Sequence, residues 1–412
     1  MTRFFTGSNL PQKMDQGPLC GVIPAYAALL SQQGYCQHSA YLQLRFLADM
    51  NQWLQQQRLQ VTDLTEQRTI HRYLRSRHQR FRPRRDEASI LKKLLQILHT
   101  QGLLPQEAPL PLVNPCQRVE YEFDRYLSEE RGLSMATRIN YRPFIQRFLS
   151  AQFGEKSVRF ADLKADDVIR FVRDQASRLK PKRAGLLVSA LRSFLRYLRH
   201  RGDITTDLAA CVPAIANWQF STLPKFLQPH QVQQVLSQCD RATSRGRRDY
   251  AILLLLARLG LRACEIVTLT LDDIHWDAGE ISIQGKGNRS GLLPLPIDVG
   301  QAVVTYLEND RPVCSTRRLF IRMKAPLRGF ANSLAISTIV ARTLKRAGID
   351  CPHTGAHLFR HTLATQMLRQ GSSLAEIALL LRHRSLNTTT LYAKVDLQAL
   401  RALAQPWPGG AL

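Results

Sequence analysis

Apolar positions fall into two rhythms along this chain. Over most of its length they recur every three or four residues, the period of an amphipathic helix; the stripe Leu187, Leu191, Phe194, Leu195 and Leu198 is a clear case. In ISIQGKGNRSGLLPLP they alternate and turn at Gly-Lys-Gly, which predicts a β-hairpin with Lys286 at its tip. The strongly apolar DYAILLLLARLGL predicts a helix that delivers Arg262 at its end. Further helices are predicted from about Pro229 to Ser237, Ala331 to Ala347, Gly355 to Arg369 and, after the Gly371-Ser372 break, Leu374 to Leu381. The expected fold class is mainly α with a small antiparallel β-sheet.

The helical first half carries a weak internal repeat. Residues 29–75 lie beside 126–173 with small gaps, and QILHTQGLLP matches RYLRHRGDIT in layout. Each copy reads as a helical hairpin, a VTDL or FADL connector opening another helix, and a basic last helix ending at Gly102 or Gly202. A duplicated domain and a chance likeness of two amphipathic segments both fit this pattern. VPAIANWQFSTLPKFLQPH, with prolines at 213, 224 and 229, reads as a linker because proline removes donors and disfavours helix before it. The expected organisation is an N-terminal helical domain (1–110), a second helical domain (115–212), a linker (213–226), a third domain (227–396) and a short amphipathic tail (397–412).

Charge narrows the class of partner. The chain has 412 residues and a formal net charge of +25, with 57 lysines and arginines against 32 carboxylates. That balance points to a polyanion, and its spread through all regions favours a clamp around a duplex over a floppy basic arm. Arg192, Arg196 and Arg199 line one face of the helix whose apolar stripe is given above, and Lys180, Lys182 and Arg183 stand just before it. These six are read as a row gripping DNA phosphates, against the alternative of a solvated face. Arg77, Arg80, Arg82, Arg84 and Arg85 cluster around Pro83, as a loop that tracks a DNA backbone or is simply solvated. No apolar window is long enough to span a bilayer, and MTRFFTGSNLPQK lacks a secretory apolar core, so a cytoplasmic location is expected. The eight cysteines are scattered without a C-x-x-C pair and read as reduced, buried thiols, not zinc ligands or bridges.

The chemistry concentrates between Arg262 and Tyr392. Arg262 lies in GLRACE, Lys286 in QGKGNRSG, His357 and Arg360 in HLFRHT, His383 in LRHRS and Tyr392 in TTTLYAKV. Together they suit attack of a tyrosine on a phosphodiester. The guanidinium forks of Arg262 and Arg360 match the non-bridging oxygens of a five-coordinate phosphorus. Tyr392 needs a group to take its proton, and His357 is the expected helper. Lys286 fits protonation of the leaving oxygen, and His383 a hydrogen bond to the phosphate. His361, one position after Arg360, is read as a structural partner.

These six residues, in this order and within these local words, resemble the tyrosine recombinase family of phage integrases and of the bacterial recombinases that resolve chromosome dimers. The resemblance covers roughly the last three quarters of the chain. It implies a catalytic domain preceded by a helical, SAM-like core-binding domain in a C-shaped DNA clamp; if the internal repeat is a duplication, residues from about 17 to 108 form an extra core-binding-like domain in front of it. It implies double-stranded DNA as partner, a 3′-phosphotyrosyl intermediate, a homo-tetramer exchanging strands through a Holliday junction, and a tail docked on the neighbouring subunit, with sister recombinases or DNA-bending proteins as further partners. Since one phosphoester replaces another, neither a metal nor another cofactor is required. LRHRSLNTTTLYAKVD inclines the reading toward a mobile element. A type IB topoisomerase and a catalytically silent accessory subunit are the alternatives. One departure stands out: many relatives carry glycine before the second histidine, where this chain has Arg382.

Overall fold

A computed structural model describes residues 16–104, 114–154, 157–216, 224–285, 290–352, 354–383, 385 and 388–393. The described parts of Met1–Leu104 and Thr222–Leu412 form one compact unit, and those of Pro105–Ser221 a second.

In the first unit, α1 (Ile23–Gln32), α2 (Gln37–Gln56), a 3-10 turn (Val61–Thr65), α3 (Gln67–Arg80) and α4 (Glu87–Thr100) enclose a core of their own. Tyr73, Phe46 and Trp53 form its aromatic centre. Residues 224–393 of the same unit build α9 (Pro229–Ser237), α10 (Ser244–Leu259), α11 (Ala263–Thr268), β1 (Ile274–His275), β2 (Glu280–Gln284), β3 (Ser290–Pro294), α12 (Ile297–Asn309), α13 (Leu334–Arg346), α14 (His357–Arg369), α15 (Leu374–Leu380) and α16 (Thr390–Ala393). The three strands form one antiparallel sheet in the order β1-β2-β3, with Gln284 opposite Ser290 at the hairpin end. α10 is the central post: every residue from Ala251 to Leu256 is buried, and it packs against α9, α12, α13 and α14. This stretch is apolar all round because no face of it meets water, whereas the charged residues of the helix fall before and after it. Gln33 and Leu327 join the two parts of this unit, the backbone N–H of Leu327 donating to the Gln33 carbonyl at 2.8 Å.

The second unit holds α5 (Pro115–Glu129), α6 (Met135–Phe153), a 3-10 turn (Phe160–Asp162), α7 (Ala165–Ala176) and α8 (Pro181–Arg201). Asn114 caps α5 by accepting from the Cys116 N–H, and Ser134 caps α6. α8 ends at Gly202 in the left-handed conformation.

The mainly α fold with a small antiparallel sheet is as expected, with local differences. The 355–369 helix starts at His357, the 331–347 helix spans Leu334–Arg346, and α12 was not foreseen. Its Val299, Val303 and Thr305 are β-branched and Gly300 interrupts them, so its local preference competes with its helical apolar spacing. Lys286, most of the linker centre and the tail 397–412 lie outside the described residues. No helix among the described residues is long and apolar enough to cross a membrane.

Candidate active site

Three chain segments converge on the end of α10. Gly260 takes a left-handed φ of +58° immediately after that helix, and a Cβ there would lie 2.7 Å from Leu381 Cδ2. This turn aims the chain at Arg262, whose backbone N–H, at the N-terminus of α11, donates to Glu265 Oε2 at 2.8 Å. The Arg262 guanidinium donates to the other oxygen of the same carboxylate, Oε1, also at 2.8 Å.

Arg360 projects from the first turn of α14 and is buried. It donates to the carbonyl of Gly260 at 2.7 Å and to the carbonyl of Leu381. One guanidinium thus binds the ends of α10 and α15 together, leaving three of its five N–H groups off those carbonyls. Burial, with Arg262 beside it, lowers the Arg360 pKa to about 10, so it remains a cation at neutral pH.

α15 closes with the N–H of Arg382 on the Leu379 carbonyl and that of His383 on the Ala378 carbonyl. This is a Schellman ending, which requires a left-handed residue at Arg382, here at φ 52°. The glycine common in relatives meets that requirement without a Cβ penalty. Arg382 instead uses its side chain, donating from Nη2 to Glu265 Oε2 at 2.7 Å, so that Glu265 joins Arg382 to Arg262. Arg382→Gly would relieve roughly 1 kcal/mol of left-handed strain but forfeit a charge-assisted hydrogen bond of about 1.5–3 kcal/mol. A net loss of about 1 kcal/mol in denaturant unfolding is expected; a glycine variant more stable than wild type would show that the bridge contributes nothing.

Tyr392 is buried with Ala364, Ile377 and Leu381 in a small cluster apart from the main core. Its hydroxyl lies 3.0 Å from His361 Nδ1. Burial pushes the phenol up to about 12, while Arg360 and Arg262 pull it down. The ring of His383 lies parallel to that of Tyr392, with centroids 6.3 Å apart, and His383 Nδ1 bonds Thr389 Oγ1 at 2.7 Å. Burial, with Arg360, Arg262 and His361 close by, holds His383 down to about 4, neutral at physiological pH.

That depression sets a sign for stability. Between about 4 and 6.5 the unfolded chain takes up a proton that the folded site rejects, so the His383 contribution is complete above 6.5 and is lost as pH falls toward 4. Thermal midpoints measured across this window are expected to drop more for wild type than for His383→Gln. Equal drops would show that His383 is not held neutral by the fold.

The structure therefore brings Arg262, Arg360, His383 and Tyr392 together. His357 is exposed at the start of α14, and its ring centroid is 6.2 Å from that of His361. The expected neighbour of the phenol was His357, yet the group in contact is His361, one helical turn on. Glu265 was also missed, although a glutamate three residues after Arg262 at a helix start is a readable capping signal. The proposed DNA-facing row changes too. Lys180, Lys182, Arg183 and Arg196 are exposed. Arg192, however, donates to the Val212 carbonyl at 2.8 Å, and Arg199 pairs with Asp207 at 3.0 Å, so a carboxylate does neutralise part of that row. Asp207 reaches it because the chain reverses at Gly202.

The described site thus holds a buried tyrosine beside a histidine, with two arginine cations acting on its phenol. Residues 225–399 match the Phage integrase family, and residues 121–202 the Phage integrase, N-terminal SAM-like domain. A putative integrase/recombinase, y4rA, of Sinorhizobium fredii strain NGR234 is 46% identical over 96% of this chain and 96% of its own length. The tyrosine recombinase XerD of Listeria innocua is 31% identical over 66% of this chain and 93% of its own. Among solved structures, the XerH site-specific recombinase bound to palindromic difH substrate in a post-cleavage complex has a TM-score of 0.55 at 19% identity, covering 70% of this chain and 84% of that one. A lambda integrase dimer bound to a COC' core site has a TM-score of 0.52 at 17% identity, over 72% and 99%. The chain belongs to the phage integrase family and is a tyrosine recombinase.

Proposed function

We propose that this recombinase cuts and rejoins double-stranded DNA at specific sites, with Tyr392 as nucleophile. The observation that carries this reading is the Tyr392 hydroxyl, 3.0 Å from a histidine nitrogen and under the pull of Arg360 and Arg262. A phenol with a pKa near 12 is almost wholly protonated at neutral pH and needs a base as it attacks. His361 receives that proton on Nδ1, with His357 one turn away on the same helix. Tyr392 Oη forms a bond to the scissile phosphorus as the bond to the 5′ oxygen breaks. The products are a 3′-phosphotyrosyl link and a 5′ hydroxyl, protonated by Lys286. Arg262 and Arg360 meet the non-bridging oxygens, and neutral His383 donates a further hydrogen bond. Attack by the 5′ hydroxyl of a partner duplex then releases the tyrosine and exchanges the strands.

In this reading residues 115–212 grip the duplex, through Lys180, Lys182, Arg183 and Arg196, and 227–396 carry the chemistry. Four protomers join two duplexes in the cytoplasm, with sister recombinases or DNA-bending proteins as further partners, and the reaction moves a mobile element. The likeness to an integrase/recombinase over nearly the whole chain supports this. The test uses nicked duplexes taken from the DNA flanking the gene. Wild-type protein is expected to form a complex with one of them that survives denaturation. Tight, specific binding without any such complex would sink the reading.

A further inference from the structure

Residues 16–104 lie outside both matched family regions, yet they repeat the element order of the second unit. α1-α2-turn-α3-α4 has the same order as α5-α6-turn-α7-α8, with a 3-10 turn at the same place in each. Gly102 and Gly202, just past the last helices, are both left-handed, at φ 70° and 81°. The inward residues of the third helix correspond: Ile70, Tyr73 and Leu74 in α3, and Val168, Phe171 and Val172 in α7. In each copy the aromatic residue of this helix meets a phenylalanine of the second helix edge-on, Tyr73 with Phe46 at 5.5 Å and Phe171 with Phe148 at 5.1 Å.

The outward faces differ. On α7, Arg170 and Arg173 stand among Asp166, Asp167 and Asp174. α3 contains no carboxylate, and Arg68, His71, Arg72 and Arg75 are all exposed on it at the spacing of a single helix face. No ion pair is found at Arg68, Arg72 or Arg75 among the described residues; Glu66 stands exposed just before the helix, and the other nearby acids are engaged elsewhere. Asp49 and Glu87 pair with Arg77, Asp86 pairs with Arg84, and Asp63 accepts from the Gln60 N–H. Arg77 and Arg84, which the sequence grouped with a basic loop, are thus internal struts. The Arg72 guanidinium rests on the Trp53 ring, 5.4 Å from its centroid.

We propose that this face of α3 is a second surface for duplex DNA, carried by a duplicate of the core-binding fold and separate from the Lys180 to Arg196 row. From Arg68 to Arg75 the row rises roughly 10 Å along the helix. That length matches about three phosphates of one strand at about 3.4 Å of axial rise each. A regular line of cations without an apolar centre suits a regular polyanion and lacks what a protein interface packs around. The inference rests on the reading of the chain as a DNA recombinase.

The test measures binding of the full-length chain to a random-sequence duplex several helical turns long, by anisotropy over a salt series. In a protein carrying Arg68→Gln, Arg72→Gln and Arg75→Gln together, affinity at low salt is expected to fall at least tenfold. The slope of log affinity against log salt becomes shallower by about 2–3, the loss of three phosphate contacts. The matching triple lysine variant keeps the charge and is expected to retain the wild-type slope; its failure to do so, with the glutamine variant's loss, would assign the effect to folding and overturn the proposal. An unchanged slope in the glutamine variant overturns it too, as does a change seen only with single-stranded RNA. Whether wild type forms the covalent complex on nicked duplex is read separately, so its absence beside a changed slope would remove the recombination chemistry and leave this surface standing.

Discussion

A Tyr392→Phe protein will bind nicked duplex DNA as tightly as wild type and form no covalent complex with it. The substitution removes only Oη. The ring that packs on Ala364, Ile377 and Leu381 stays, so the cluster keeps its apolar contacts. What is lost is one hydrogen bond to His361, about 1 kcal/mol of stability, and the atom proposed to bond to phosphorus. The readout is a denaturing gel of the protein with labelled duplex beside a binding curve on the same material. A complex that persists in the variant would mean that another side chain is the nucleophile.

Arg360→Ala is expected to damage both the fold and the reaction. Its guanidinium serves the carbonyls of Gly260 and Leu381, which close α10 and α15. Without it two buried carbonyls lose their donor, each at about 1–3 kcal/mol, and the side chain leaves a void, so a loss of about 3–5 kcal/mol in unfolding free energy is expected. The cation also draws the Tyr392 phenol down more than Arg262 does, so without it the phenol becomes harder to ionise. Cleavage in a single turnover should slow by about 10²–10³. Arg360→Lys restores a charge but not the fork that reaches two carbonyls at once, and is expected to recover little of either. Unfolding and cleavage both near wild type in the alanine variant would show that Arg360 neither ties the site together nor acts in it.

What the sequence makes legible here is what depends on neighbours along the chain. The stripe of α8, the alternation of β2 and β3 and the boundaries of α9 follow from local periodicity, and the catalytic words follow from residue type and order. Contacts set by a distant part of the path are not written locally. His357 and His361 are four residues apart on one helix, and which of them meets Tyr392 depends on how the chain returns from His383. Nothing beside Arg382 announces a positive φ, because the demand comes from the way α15 ends and the compensation from Glu265, 117 residues away. Arg192 and Arg199 look like a free basic row until the turn after α8 brings Val212 and Asp207 onto them.

The apolar cluster around Tyr392 is small and stands apart from the main core. Its four buried members lie on α14, on α15 and at the residue that ends it, and on α16, and none is shared with the large core around α10. Opening a protein region costs in proportion to the apolar contacts it breaks, so small satellite clusters exchange their amides through partial openings far below the energy of global unfolding. Tyr392 thus sits in an apolar cluster of its own, whose supporting helices are tied to the framework that carries Arg262 through Arg360 and Glu265. Moving α16 alone would break only the contacts of that small cluster and the bond to His361, and would leave the ties of Arg360 between α10 and α15 in place.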